Sequence, residues 1–504
     1  MRDIYSVIID IRRKVFTEVA RLAYDGVDYA RIENLPYEII PGETASYRDS
    51  IFLERAIVGE RLRLAIGLPL RPISEHAPIS QDIEETAIAE KYYDPPLINI
   101  IKFACNACPE KKVEVSSLCQ GCLAHPCKEV CPKNAVSIEH RKSVIDQDAC
   151  ISCGRCVDAC PYHAIVKTER PCATACGMNA IHSDSLGRAE IDYDQCVSCG
   201  MCIVNCPFGA ISDKGQIFQL VHALTMPETE VYAIVAPTFI GQLGPGITSG
   251  KLKAAMQQLG FTDTVEVAIG ADLCTIDEAT DFIEKVPKEQ PFMATSCCPA
   301  WSVMAKKRFP QLSPYISMAL TPMVLTARLV KRQHPNCKIA FIGPCSAKKL
   351  EASRKSVRSD VDFVLTFEEM MGMMNAKEID LTALAEETPF EEATSAGRGF
   401  AVSGGVANAV AAAIEKIEPG HEVKIEAVQG LQECYKMLAM ANKGKYDGYL
   451  LEGMACPGGC VAGAGTLQPV TKATAAVNRY ASQAALQNAT ESKYKENLDL
   501  LLEK

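Results

Sequence analysis

Cysteine spacing constrains this chain more than any other feature. Sixteen of its 24 cysteines fall between residues 96 and 215, most of them in C-x-x-C steps. In a small secreted protein an even count would read as a disulfide framework, but thiols three residues apart are better placed to share a metal, which favours a reducing compartment. The crowding is also ordered. One phrase recurs as Cys131-Pro-Lys-Asn-Ala-Val, Cys160-Pro-Tyr-His-Ala-Ile, Cys176-Gly-Met-Asn-Ala-Ile and Cys206-Pro-Phe-Gly-Ala-Ile, and so marks an internal repeat.

The runs Cys150-x-x-Cys153-x-x-Cys156-x-x-x-Cys160-Pro and Cys196-x-x-Cys199-x-x-Cys202-x-x-x-Cys206-Pro match the spacing of iron-sulfur ligands. A zinc ribbon uses two separated C-x-x-C knuckles and has no need of the third and fourth cysteines of each run. The zone resembles bacterial-type ferredoxins in tandem, where three thiolates of one run hold a [4Fe-4S] cube and the fourth reaches across to the other. That resemblance implies that Cys150, Cys153 and Cys156 share a cube with Cys206, and that Cys196, Cys199 and Cys202 share one with Cys160. Cys119-x-x-Cys122-x-x-x-x-Cys127-x-x-x-Cys131-Pro is a looser run whose partner is split, with Cys172-x-x-x-Cys176 at one end and Cys105-x-x-Cys108 at the other. These further thiolates suffice for two more cubes, four [4Fe-4S] clusters in all, with their pairing open. The alternative is that Cys105, Cys108, Cys172 and Cys176 are partly free or bind another metal. Clusters in series would form an electron relay, because tunnelling falls steeply with distance.

On either side the chain changes character. Residues 1–95 contain no cysteine, and apolar residues at near-helical spacing over 5–22 and 51–66 read as a small helical domain, a cap or docking module to which no chemistry is assigned. From 216 to 504 short β-branched runs alternate with amphipathic helices, the pattern of an α/β catalytic domain with parallel sheets. Strands are expected at 231–236, 338–342, 361–366, 425–428 and 449–451, with a short run at 291–294. The fold class is thus multidomain α+β and α/β: a helical domain (1–95), a tandem ferredoxin-like domain (96–215) and a two-lobed α/β domain (216–504). A hydrophobic content of 48% with 23% charged residues suits a globular protein. Asp3 and Asp10 interrupt what would be the apolar region of a secretory signal, and no stretch approaches the roughly 20 apolar residues of a membrane helix, so a cytoplasmic location is expected. A net charge of −10 argues against nucleic acid as a partner.

Three loops of the last zone carry the chemistry: Thr295-Ser-Cys297-Cys298-Pro-Ala-Trp301, Gly343-Pro344-Cys345-Ser346-Ala-Lys348-Lys349 and Glu452-Gly-Met454-Ala-Cys456-Pro-Gly-Gly-Cys460. Each follows a strand candidate, and in open α/β sheets the crevice beyond the carboxyl ends of strands gathers ligands. The loops resemble the three signature loops of the [FeFe]-hydrogenases. The resemblance covers 216–504 and implies a reaction, two protons and two electrons interconverting with dihydrogen. It also implies a six-iron H-cluster, a [4Fe-4S] cube bridged to a di-iron unit carrying CO, cyanide and a dithiolate. By it, Cys298, Cys345 and Cys456 are cube ligands and Cys460 is the bridging thiolate. Lys348 hydrogen-bonds a cyanide, Met454 packs beside a CO, and Pro344 and Ser346 contact the cofactor. Cys297 is the proton-donating thiol, with Glu278, Asp281 and Ser317 continuing a proton path. Read without the family, carboxylates three residues apart on a helix are a solvated face.

The same resemblance implies a ferredoxin or another low-potential electron carrier as partner, and maturation proteins that supply the di-iron unit. Three departures from it stand out. Asp281 replaces a common Glu, Gly343 stands where relatives carry Met, and the third loop continues Gly463-Ala-Gly465-Thr rather than as glycines ending in Gln, the last two resembling the group B branch. The missing methionine is expected to open space or admit water beside the di-iron unit. Cys274, Cys337 and Cys434 read as small core residues. The rival reading is a non-catalytic relative: a dihydrogen sensor, an iron-sulfur scaffold or an electron-transfer protein. Retention of Cys297 and of all four ligands favours turnover.

Overall fold

In the computed structural model, which describes residues 6–502, the β-branched runs of the last zone pair as two parallel sheets. The first has the strand order Asp263–Glu266, Val231–Val235, Lys338–Gly343, Phe363–Thr366; the second has Met293–Ala294, Tyr449–Met454, Lys424–Gln429. Val231–Val235 and Phe363–Thr366 are buried along their whole length, as strands covered on both faces must be. The parallel architecture expected from the alternation is therefore present, with strand ends shifted by a few residues. Asp263–Glu266 is not legible in the sequence, because this short edge strand begins and ends on a carboxylate.

Helices Val7–Asp25 and Ile51–Ala65 form where helical spacing predicts them; Tyr5 and Asp3 lie outside the described residues. Each starts on a serine cap, the Ser6 and Ser50 hydroxyls accepting the N–H of Ile8 and Phe52. Their apolar faces pack on each other and on the α/β half alike. Ile11, Val15, Phe16 and Val19 belong to one continuous core with Phe218, Val221 and Phe367 and with the four-stranded sheet. The cysteine-free zone is thus a helical layer laid on the α/β half.

Residues 96–215 build four antiparallel strand pairs. Lys112–Val115 joins Ile165–Thr168 and Val136–Glu139 joins Lys142–Ile145; Ile181–Ser183 joins Ala189–Ile191 and Ile98–Ile100 joins Ile211–Asp213. The pairing is nested, since the lobe 112–168 is inserted into an outer lobe whose first strand is Ile98–Ile100. Lys349 docks the outer lobe on the α/β half. Its side chain is 1% exposed and its ammonium donates to Asp213 at 2.9 Å, Glu369 at 2.8 Å and the Lys214 carbonyl at 2.9 Å. Among the described residues no helix is long and apolar enough to cross a membrane.

Candidate functional site

The first C-x-x-C step of each group bends through the left-handed region at its third residue: Ala107 (φ 45°), Gly121 (60°), Ser152 (52°) and Ser198 (54°). Non-glycine residues adopt that region only where a tight turn demands it. The bend turns amides onto sulfur, the Ser152 and Ser198 N–H groups donating to the Sγ of Cys150 and Cys196 at 3.4 Å. A second left-handed residue follows each repeated phrase's cysteine: Asn134, His163, Asn179 and Gly209, with φ between 50° and 58°. The next N–H, of Ala135, Ala164, Ala180 and Ala210, donates to the Sγ of Cys131, Cys160, Cys176 and Cys206 at 3.3–3.4 Å. Four copies of one local structure therefore carry the four phrases.

The grouping of thiols departs from the sequence reading. Cys131, not Cys206, joins Cys150, Cys153 and Cys156 round one cavity. Cys105, Cys108, Cys172 and Cys206 line another. Cys196, Cys199 and Cys202 lie within electrostatic reach of Cys176 rather than meeting Cys160, and Cys119 and Cys127 meet at Ser143. Nesting is the reason. The inserted lobe splits one ordinary run between Cys108 and Cys172, so each lobe exchanges its fourth cysteine within itself.

The carboxyl ends of both parallel sheets open on one cavity of about 100 Å³. Cys297, Cys298, Pro344, Cys345, Lys348, Met454, Cys456 and Cys460 stand on its wall, drawn from all three loops. The third loop is set by buried Glu452, whose carboxylate accepts the N–H groups of Gly404 at 2.7 Å and Ala407 at 2.8 Å at the start of helix Gly405–Ile417. Trp301 packs behind the first loop, fully buried, its indole N–H donating to the Thr295 carbonyl at 2.9 Å. Lys348 donates to Glu351 at 2.7 Å and to the Cys297 carbonyl at 3.4 Å. Burial pulls its pKa down, but Glu351 and the nearby thiols outweigh that and hold it above its ordinary value.

Burial, reinforced by neighbouring thiols, pushes Cys345 up to about 11 and Cys460 up to about 12, and raises Cys456 well above the usual thiol range. Soft donors that protein alone keeps protonated bind when a cationic core supplies the missing charge. The donor set therefore fits an iron-sulfur group, and Lys348 offers a hydrogen bond to an anionic ligand on it.

Behind Cys297 lies Glu278, fully buried on helix Ala268–Lys285. It accepts the Ser296 N–H at 3.3 Å and bonds the Ser317 side chain, yet burial lifts its carboxyl to about 8, and its Oε2 has no partner among the described residues. Asp281 is half-buried and paired with Lys285 at 2.8 Å. Asp277, which sequence reasoning passed over, interacts with both carboxylates and is lifted to about 6 by burial and then by Asp281. The solvated-face reading suits Asp281 and fails for Glu278.

Two expectations are corrected here. Ser346 is not on the cavity wall: it precedes helix Ala347–Ala352, bonds Asp213 and lies against Gly200, and so joins two zones instead. Gly343 opens no space, because the ring of Phe341 fills it. Sequence reasoning also missed Phe341, Met323, Phe400 and Cys199 on the wall; three are apolar residues with no local signature, and Cys199 belongs to a distant run. Cys274, Cys337 and Cys434 are buried in the cores.

Residues 229–464 match the model of the iron only hydrogenase large subunit, C-terminal domain, and residues 143–166 and 189–212 match that of the 4Fe-4S binding domain. The chain is 30% identical over 427 residues to Iron hydrogenase 1 of Clostridium pasteurianum, covering 73% of each protein. It is 29% identical over 294 residues to the Periplasmic [Fe] hydrogenase large subunit of Nitratidesulfovibrio vulgaris, covering 50% of this chain and 69% of that one. It is also 26% identical over 279 residues to a probable cytosolic Fe-S cluster assembly factor of Aedes aegypti, covering 45% of this chain and 58% of that protein.

Proposed function

The chain belongs to the iron-only, or [FeFe]-, hydrogenase family, and on that premise we propose that it is a catalytic hydrogenase interconverting protons and electrons with dihydrogen. The observation that carries this reading is the meeting of Cys297, Cys298, Cys345, Cys456 and Cys460 with Lys348 and Met454 on one cavity wall. Cys298, Cys345, Cys456 and Cys460 would hold the H-cluster, Cys460 as the bridge, with Lys348 donating to a cyanide and Pro344 and Met454 packing against the di-iron unit. When bound, that group supplies an open iron position at which dihydrogen is made or split.

The chain's own residues do the rest. Cys297, left uncoordinated, carries a proton at Sγ. Glu278, poised near 8, exchanges it as an acid or base, and Ser317 holds the Glu278 carboxyl in place. Asp277 and Asp281 continue the path outward to Lys285. Phe341, Met323 and Phe400 keep the wall dry. On the electron side four thiol sets would hold [4Fe-4S] clusters: Cys119, Cys122, Cys127 with Cys160; Cys131 with Cys150, Cys153 and Cys156; Cys105, Cys108, Cys172 with Cys206; and Cys176 with Cys196, Cys199 and Cys202. Cys199 also stands on the active-site wall, so the last set abuts the catalytic group. A ferredoxin or another low-potential carrier would deliver electrons in a reducing, cytoplasmic compartment, and maturation proteins the di-iron unit. Gly343 and the third loop ally the chain with group B.

Dihydrogen evolution from reduced viologen, after expression with maturation proteins, tests this. C297A should lower turnover by about 10²-fold or more while the CO and cyanide infrared bands persist; wild-type protein that shows those bands but no activity ends the reading. Similarity to an assembly factor favours the scaffold as the second reading, which requires a cube without such bands.

A further inference from the structure

The four repeats differ at one peptide. In each, the peptide that donates its N–H to sulfur carries the carbonyl of the left-handed residue, Asn134, His163, Asn179 or Gly209. In the fourth repeat that carbonyl accepts a hydrogen bond from Arg61 Nη2. Arg48 Nη2 donates to the preceding carbonyl, of Phe208, at 2.5 Å and to that of Ala104, beside Cys105, at 3.3 Å. Among the described residues no side chain donates to the carbonyls of Asn134, His163 or Asn179. Residue 209 is glycine for a reason visible in the packing: a Cβ there would lie 2.5 Å from Arg61 Nη2 and 2.5 Å from Ile8. The asparagine of two sister repeats would drive the guanidinium away.

Arg61 is 5% exposed, and its Nε and Nη1 have no partner among the described residues. Arg12 lies close enough to repel it, and the carboxylate of Glu368 is already bridged to Arg12 at 2.6 Å. A guanidinium so buried is costly unless an anion balances it. The remaining anion-forming groups that act on it among the described residues are the Tyr47 phenol and the Cys206 thiol, and of these the thiol belongs to a cluster set. From another side Arg170, also 5% exposed, donates to the Cys108 carbonyl at 3.0 and 3.3 Å. Three guanidiniums thus bind backbone around the cavity of Cys105, Cys108, Cys172 and Cys206.

We propose that Arg61, assisted by Arg48, raises the reduction potential of the iron-sulfur station bounded by Cys105, Cys108, Cys172 and Cys206, so that this station takes up an electron first, and that this is the task of the cysteine-free first 95 residues. The proposal rests on the reading that these thiolates hold a [4Fe-4S] cube. One electron from an external carrier takes the tetrathiolate unit from a charge of 2− to 3−, with no bond made or broken and no proton required. A fixed cation, and an N–H polarised toward Cys206 by the arginine on its own carbonyl, both favour the more negative state.

A potentiometric titration of the matured holoprotein, followed by electron paramagnetic resonance with iron and sulfide content determined, tests it. C172S identifies the station as the signal it removes. In R61Q the midpoint of that signal should fall by tenfold or more in the reduction equilibrium, about 59 mV for a one-electron couple, with the other signals unmoved. R61K should keep most of the wild-type value, and G209N should reproduce R61Q. If R61Q and G209N carry full iron and leave every midpoint in place, or shift all alike, the proposal is overturned. If C172S removes no signal, the station is absent and the reading beneath it falls as well.

Discussion

The ring of Phe341 occupies the place that a side chain on Gly343 would take: a Cβ at 343 would lie 2.5 Å from both Cε1 and Cζ of Phe341. The two residues are alternate positions of strand Lys338–Gly343, so their side chains share a face, and only one of them can reach the cavity. G343A should therefore overpack the wall, costing about 1–3 kcal/mol and lowering the thermal midpoint, whereas the same methyl added to F341A should cost little, so that F341A/G343A melts close to F341A. An unshifted midpoint in G343A contradicts this account.

Gly200 sits where the Cys196–Cys202 turn touches the second signature loop. Its φ is 77°, and a Cβ would lie 2.5 Å from Ala464 Cβ and 3.1 Å from Ser346 Oγ. G200A should push the turn off the active-site wall and slow electron delivery, lowering turnover with ferredoxin while the cluster signals keep their intensities. Wild-type turnover in this variant would show that the contact does not set the electron path.

Glu278 holds its proton below about pH 8, because burial opposes its ionised form. Proton supply toward Cys297 should fall as pH rises through that value, so wild-type dihydrogen evolution should decline above pH 8. E278Q cannot exchange a proton, and its turnover should be lower by about 10²-fold or more across the range with unchanged infrared bands. Equal turnover of E278Q and wild type at pH 7 would remove Glu278 from the path.

Asp272, fully buried, accepts the Thr394 hydroxyl at 2.5 Å and N–H at 3.0 Å, and burial raises its pKa from 3.8 to about 7. Between those values the folded chain binds a proton that the unfolded chain does not, so its contribution to stability falls as pH rises from about 4 to about 7 and is level above. The full effect is on the order of 4 kcal/mol. The midpoint of D272N should therefore gain on wild type between pH 5 and 7 in thermal melts, and a pH-independent difference between the two refutes the buried-proton account.

Cysteine spacing by itself determined the character of the middle zone, because C-x-x-C turns and the Cys-Pro phrases are local: each fixes its own left-handed bends and its own amide-to-sulfur bonds. The parallel sheets were legible for a similar reason, since strands buried on both faces are written as continuous apolar runs. Tertiary structure alone decided which fourth cysteine completes which set, because Cys131 and Cys206 find their partners through a nested insertion that no local spacing records. It also decided that Phe341 closes the space beside Gly343, that Glu278 is fully buried while Asp281 on the same helix is not, and that Arg61 reaches Gly209. Which side chain a neighbouring element covers, and which distant group it reaches, is settled only once the helices and sheets have packed, and packing of that kind leaves no periodicity in the chain.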